Sequence, residues 1–219
     1  MSEPTEDACE AGAAPRGDAT AGAVGYGLVM THSGCWTTRS STPKYTNPWI
    51  SVREDAVVRP DGGEGVYGVV TMRNPAVCVV AMTDADEVLM VSLYRYPTQA
   101  MSLEVPAGGS DGENLLLAAQ RELVEETGYP AREWREIGRM NALNGVCDAP
   151  EHVFLATGLQ APASVEDAER AAREQKAEGI SAVRAVPWRD LTRLVADGEV
   201  TDGETLAALM FAAATLGRL

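Results

Sequence analysis

Three of the eight residues in Arg121–Gly128, written RELVEETG, are glutamates, and Glu113 adds a fourth carboxylate about two helical turns upstream. Like charges three or four residues apart repel on a helix by about a few tenths of a kcal/mol per pair. A solvated acidic face is one reading of such crowding. The other is a cation seat. Glutamates at i and i+4, here Glu122 and Glu126, can grip one ion from a single helix. Mg²⁺ and Mn²⁺ favour oxygen ligands and share their remaining positions with water and phosphate oxygens. Such an ion neutralises charge on a diphosphate and makes a bound water more acidic.

The surrounding order narrows that chemistry. Gly109, Glu113, Arg121, Glu122, Glu125, Glu126 and Gly128 follow the pattern G-x3-E-x7-R-E-x2-E-E-x-G, with apolar Leu123 and Tyr129 in the remaining set positions. This closely resembles the Nudix box, G-x5-E-x7-R-E-U-x-E-E-x-G-U, where U is bulky and apolar. One position departs from it. The residue six before Glu113 is Ala107 rather than glycine, and Gly108 and Gly109 follow it, so the loop is one residue short. The resemblance implies Glu122 and Glu126 as leading metal ligands, Glu125 as a third, and the Ala107 carbonyl as a backbone ligand. It further implies that Arg121 and Glu113 hold loop and helix together. The reaction implied is metal-dependent hydrolysis of a nucleoside diphosphate linked to another group, with Mg²⁺ or Mn²⁺ as the cofactor.

Flanking segments resemble the ADP-ribose and ADP-sugar pyrophosphatase branch: YTNPWISVREDAVVRPDG at 45–62, LYRYP at 93–97 and LEVPAGG at 103–109. That resemblance implies a homodimer in which N-terminal strands cross to the partner. It implies Trp49 as an adenine stack, Arg95 as a phosphate contact and Glu104 as a substrate or metal contact. A further glutamate from a mobile loop aligns best with Glu178, as a base or extra ligand. Asn144 stands where the branch carries proline, so substrate selection at that loop can differ. Other readings are a Nudix hydrolase of a nucleoside triphosphate, a dinucleotide or a specialised-metabolite diphosphate, and a ligand-sensing module without turnover. The intact R-E-x2-E-E set argues against the last.

The elements that must position these groups are legible as alternation and punctuation. The runs 49–58, 66–72, 88–97, 133–140, 152–159 and 180–188 read as strands, and AVCVVAM at 76–82 as a strand covered on both faces. Residues 113–127 read as a helix stopped by Gly128. On a wheel of about 100° per residue, Leu116, Leu117, Leu123 and Val124 share one arc. Glu122, Glu125 and Glu126 share the opposite arc, and Leu115 is a poor fit among them. Residues 161–179 fit a helix or a loop equally. A further helix opens at Pro187 and runs through about Ala196. Thr201, three before Glu204, suggests the capping box of a last helix. The order implies an α/β fold, an α/β/α sandwich on a mixed sheet. Residues 1–42 read as a flexible or weakly structured segment that includes GYGLVM at 25–30, and 43–219 as the hydrolase domain, with N-terminal strands over 43–72.

Composition sets the outer limits. The net charge of −14, from 32 acidic against 18 basic residues, repels nucleic-acid phosphates. No run reaches the roughly 18 apolar residues of a membrane span, and the N-terminus lacks a secretory pattern, so the cytoplasm is the expected address. Cys9, Cys35, Cys78 and Cys147 form no CxxC pair and are expected as free thiols. No Ser or Cys nucleophile has a paired His/Asp pattern, His152 reads as structural, and His32 carries no assignment.

Overall fold

The computed structural model describes residues 35–219, so the GYGLVM segment and His32 lie outside the described residues. Two compact units divide the chain after Val70.

In the first unit, strand β1 (Thr37–Thr46) pairs antiparallel with β2 (Ile50–Val58). The register slips beside Pro43, whose nitrogen has no proton to give a ladder. The turn between them is held by Asn47, whose Oδ1 accepts from the amides of Trp49 (2.9 Å) and Ile50 (2.7 Å). Strand β3 (Glu64–Met72) lies next to β2, after a turn closed by the Arg59 amide on the Gly63 carbonyl at 2.8 Å. β1 begins at Thr37, ahead of the boundary at 43 that composition suggested. Its threonines and serines form a strand because pairing with β2 outweighs their weak local patterning. Cys35 is disulfide-bonded, which corrects the expectation of a free thiol there, while Cys78 and Cys147 are free.

The second unit runs on through β4 (Ala76–Met82), β5 (Glu87–Arg95), β6 (Ala100–Glu104), β7 (Ala107–Gly109) and helix α1 (Leu115–Thr127). Then come β8 (Ala131–Asn141), β9 (Cys147–Asp148), β10 (Pro150–Leu159), α2 (Val165–Glu178), β11 (Ile180–Pro187), α3 (Leu191–Ala196) and α4 (Gly203–Leu216). The sheet order is β11-β5-β4-β10-β8, with β6 on β5 and β7 on β4. Only the β4–β10 pair among the registers described is parallel, so the sheet is mixed. Strand β4 explains the layers. Cys78, Val80 and Met82 pack with Leu191, Leu194, Ala208, Leu209 and Ala212 of α3 and α4. Val77, Val79 and Ala81 pack with Ala118, Ala119 and Leu123 of α1. A period-two strand apolar on both faces therefore needs a helical layer on each side, and the α/β/α sandwich follows.

Of the two readings of 161–179, the helix is the one found, over Val165–Glu178, capped by Ser164 on the Asp167 amide and stopped by Gly179 in the left-handed region, and two local expectations change. Asp202, not Thr201, caps α4, accepting from the Thr205 amide at 2.7 Å. The α1 wheel holds at Leu123, which is buried, and fails at four other positions. Leu116 and Leu117 are exposed, whereas Ala118, Ala119, Glu122, Leu123 and Glu126 are buried and Leu115 packs into the core. Small alanines let the helix approach the sheet closely, and the carboxylates sit on the approaching face. Among the described residues, no helix is long and apolar enough to cross a membrane.

Candidate functional site

Four hydrogen bonds hold the strand-to-helix loop, two to the segment that enters and forms β4 and two to α1. The Ser110 amide donates to the Pro75 carbonyl at 2.9 Å, and the Val79 amide to Pro106 at 2.8 Å. The Ala107 amide donates to Glu126 Oε2 at 3.0 Å, and Arg121 Nη2 donates to the Gly109 carbonyl at 2.9 Å. Gly108 passes so close that an added Cβ would overlap the Glu122 carboxyl group. A side chain at 108 would therefore require the Glu122 carboxyl group to move.

Arg121 is the hub of the helix face. Its Nε reaches Glu113 at 3.0 Å, and its Nη1 reaches Glu122 at 2.7 Å and Glu125 at 3.0 Å. Burial works against its charge, but Glu122, Glu125 and Glu113 more than offset that and push its pKa up. One guanidinium thus ties the helix carboxylates to the loop through a planar fork that lysine lacks.

The carboxylates are unequal. Glu126 is 3% exposed, and burial, with Glu178 and Glu122 adding to it, pushes its pKa up to about 9 against the pull of the Ala107 amide. Glu122 is 6% exposed, and burial pushes it up to about 7 although Arg121 opposes the shift. Glu178 is raised by burial and by Glu125 and lowered by its hydrogen bond with Glu126. Oxygens of Glu122, Glu125 and Glu178 lie within 4.8 Å of one another. Glu178 is the last residue of α2, not part of a mobile loop, and the helix C-terminus is itself unfavourable to a carboxylate. Burial thus outweighs the nearby guanidinium groups at both Glu122 and Glu126. An all-oxygen set this close fits a hard divalent cation.

Arg95 and Glu104, expected to meet substrate separately, meet each other. Arg95 Nε lies 3.0 and 3.2 Å from the two Glu104 oxygens, and its Nη2 completes a bidentate pair. Glu104 is buried while half of the arginine side chain stays accessible, so the guanidinium keeps an open edge. Trp49 belongs to the first unit, where it is 68% exposed. His152 Nδ1 lies 2.9 Å from Glu136 on neighbouring strands, a structural pairing.

Sequence reasoning missed a second group. Cys78, Glu151 and Glu204 bring ligand atoms within 4.8 Å of one another. Burial, with Glu204 close by, pushes Glu151 up to about 8. Beside them Asp202, Glu204 and residues 140–143 border a cavity of about 420 Å³, next to the loop that carries Asn144. These residues come from three separated segments and no local spacing unites them.

Comparisons with known proteins agree with this geometry. Residues 36–70 match the nucleoside diphosphate sugar hydrolase N-terminal domain, and residues 72–209 match the NUDIX domain. An ADP-ribose pyrophosphatase of Bacillus subtilis (strain 168) is 36% identical over 62% of this chain and 70% of its own length. Another, from Mycobacterium tuberculosis (strain ATCC 25618 / H37Rv), is 32% identical over 79% of this chain and 81% of its own. The crystal structure of an ADP compounds hydrolase superposes with a TM-score of 0.68 at 20% identity, covering 84% of this chain and 97% of that one, which speaks for the fold. The chain belongs to the Nudix hydrolase family, as a pyrophosphohydrolase on its ADP-ribose pyrophosphatase-like branch.

Proposed function

We propose that the protein hydrolyses the diphosphate bond of ADP-ribose or an ADP-sugar, giving AMP and a sugar phosphate. The observation that carries the reading is the Glu122, Glu125, Glu126 and Glu178 cluster, tied by Arg121 to the Ala107–Gly109 loop. Glu122, Glu125, Glu126 and the Ala107 carbonyl would hold Mg²⁺ or Mn²⁺. When bound, the ion supplies charge neutralisation at the diphosphate and a more acidic water.

The chain's own residues do the rest. Arg121 fixes the orientation of the glutamates, and Glu113 braces Arg121. Glu178, at the end of α2 and already poised at a raised pKa, accepts the proton of the attacking water. Arg95, oriented by Glu104, presents its open edge to a phosphate. Trp49 stacks on the adenine. Exposed Tyr45, Trp49 and Val66 in the first unit support a homodimer in which these strands are covered by a second copy.

A panel of nucleoside diphosphate compounds with Mg²⁺ tests the substrate, with AMP and phosphorylated product separated by chromatography. Turnover of ADP-ribose or an ADP-sugar above the other members is expected. A folded protein that turns over no ADP-linked member sinks the reading, and activity confined to triphosphates or dinucleotides replaces it.

A further inference from the structure

The backbone between Glu104 and Ala107 changes neighbours. Glu104 is the last residue of β6 in register with β5, opposite Val91. Ala107 opens β7 on β4, opposite Cys78. Val105 and Pro106 cross from one ladder to the other in the core, and both are fully buried. Pro106 has no amide proton, but Val105 has one and no strand partner in either register. A buried amide in that position must find an acceptor. It finds Thr205 Oγ1 at 3.1 Å, from a residue 100 positions away on α4. Thr205 is 1% exposed, and its own amide is held by Asp202.

We propose that Thr205 is a positioning residue for the metal loop, fixing the crossing so that Glu104 and Ala107 fall on their partners at either side. This rests on the assignment of Ala107 and Glu126 to the cation seat. The residue is a polar group on a helix face that otherwise buries Ala208, Leu209 and Ala212, so packing alone does not call for a hydroxyl. The short loop sharpens the effect. Ala107 donates to Glu126 two residues beyond Val105, and the backbone at Gly108 runs beside the Glu122 carboxyl group, so a shift of the crossing is passed directly to both glutamates. Without the hydroxyl, the loop relaxes to hydrate or re-pair the Val105 amide. Binding a cation must then re-impose the path with that donor unpaired.

Mn²⁺ binding without substrate, followed by the EPR signal of free Mn²⁺ well below the melting temperature, tests this on the full chain. Thr205→Val keeps the shape and removes the acceptor. It is expected to weaken Mn²⁺ binding about tenfold, the scale of one buried hydrogen bond left unmade. Thr205→Ser keeps the acceptor and is expected to bind as the wild type does. A merely structural role lowers the melting temperature of Thr205→Val and leaves the affinity of the folded protein unchanged, which overturns the proposal. So does a Thr205→Ser variant as weak as Thr205→Val. If Thr205→Val does not fold, Thr205→Ala against Thr205→Ser isolates the hydroxyl, and equal affinities overturn the proposal. A wild-type protein that takes up no Mn²⁺ overturns the cation seat and this brace with it, whereas a wild type that binds alongside an unaffected Thr205→Val overturns the brace alone.

Discussion

Replacing Glu126 by glutamine should stabilise the fold while abolishing metal-dependent activity. In the metal-free folded protein, burial raises the Glu126 carboxyl from its ordinary 4.5 to about 9. Between those values the unfolded chain has released the proton and the folded chain still holds it. The folded state then binds more protons, so stability falls as pH rises through this window. At pH 7.5 the gap from 4.5 is roughly three units, a ceiling of about 4 kcal/mol at about 1.4 kcal/mol per unit. Protons shared with Glu122 and Glu178 spread the effect over the cluster, so a gain of about 2 kcal/mol is expected for the single variant. Glutamine resembles the protonated acid. Its carbonyl can accept from the Ala107 amide, and its NH₂ can donate to Glu178.

Thermal unfolding in EDTA, from pH 4 to 9, reads this directly. A gain of about 2 kcal/mol raises the midpoint by about 4–8 °C at pH 7.5 for a chain of this size. The difference should vanish near pH 4, where both states of the wild type are protonated, and grow as pH rises. Mg²⁺ should raise the wild-type midpoint and do much less for Glu126→Gln. A variant less stable than wild type in EDTA at pH 7.5, or a difference that does not change with pH, refutes the claim that a buried, proton-holding carboxyl occupies this position.

Three further outcomes follow from the same geometry. Gly108→Ala drives a methyl into the Glu122 carboxyl, so Mn²⁺ affinity should fall at least about tenfold with a lower melting temperature; unchanged binding would show that the loop has room. Glu178→Gln should lower kcat by about a hundredfold with KM little changed, and an unaltered kcat removes it as the base. Trp49→Ala should raise KM for ADP-ribose about tenfold at constant kcat, the scale of one lost stack, and an unchanged KM assigns the adenine elsewhere.

How far the sequence reaches depends on how far apart the partners lie. Strand β4 was legible residue for residue because a strand buried on both faces has no polar positions to obscure it. The short β6 and β7 were not, since PAGG looks like a turn and becomes a strand only by pairing with Cys78, Val77 and Ala76. The Arg121 hub lies within one segment and its spacing announces it. The Thr205 acceptor, the Cys78–Glu151–Glu204 group and the Arg95–Glu104 fork depend on tertiary contacts or strand register, which local pattern does not specify.

The failure of the α1 wheel is the most informative of these. The wheel assumes that leucines face the sheet and glutamates face water, and α1 does the reverse at Leu116, Leu117, Glu122 and Glu126. A helix chosen for stability alone would bury leucines where it buries two acids, at a cost set by the protons those acids must retain. Two exposed leucines beside two buried glutamates therefore break the local rule in both directions on one helix. Such paired violations mark a face selected for what binds there. The charge crowding in RELVEETG points to a cation, and the burial of Glu122 and Glu126 means that a cation held by them would sit in the core rather than on its surface.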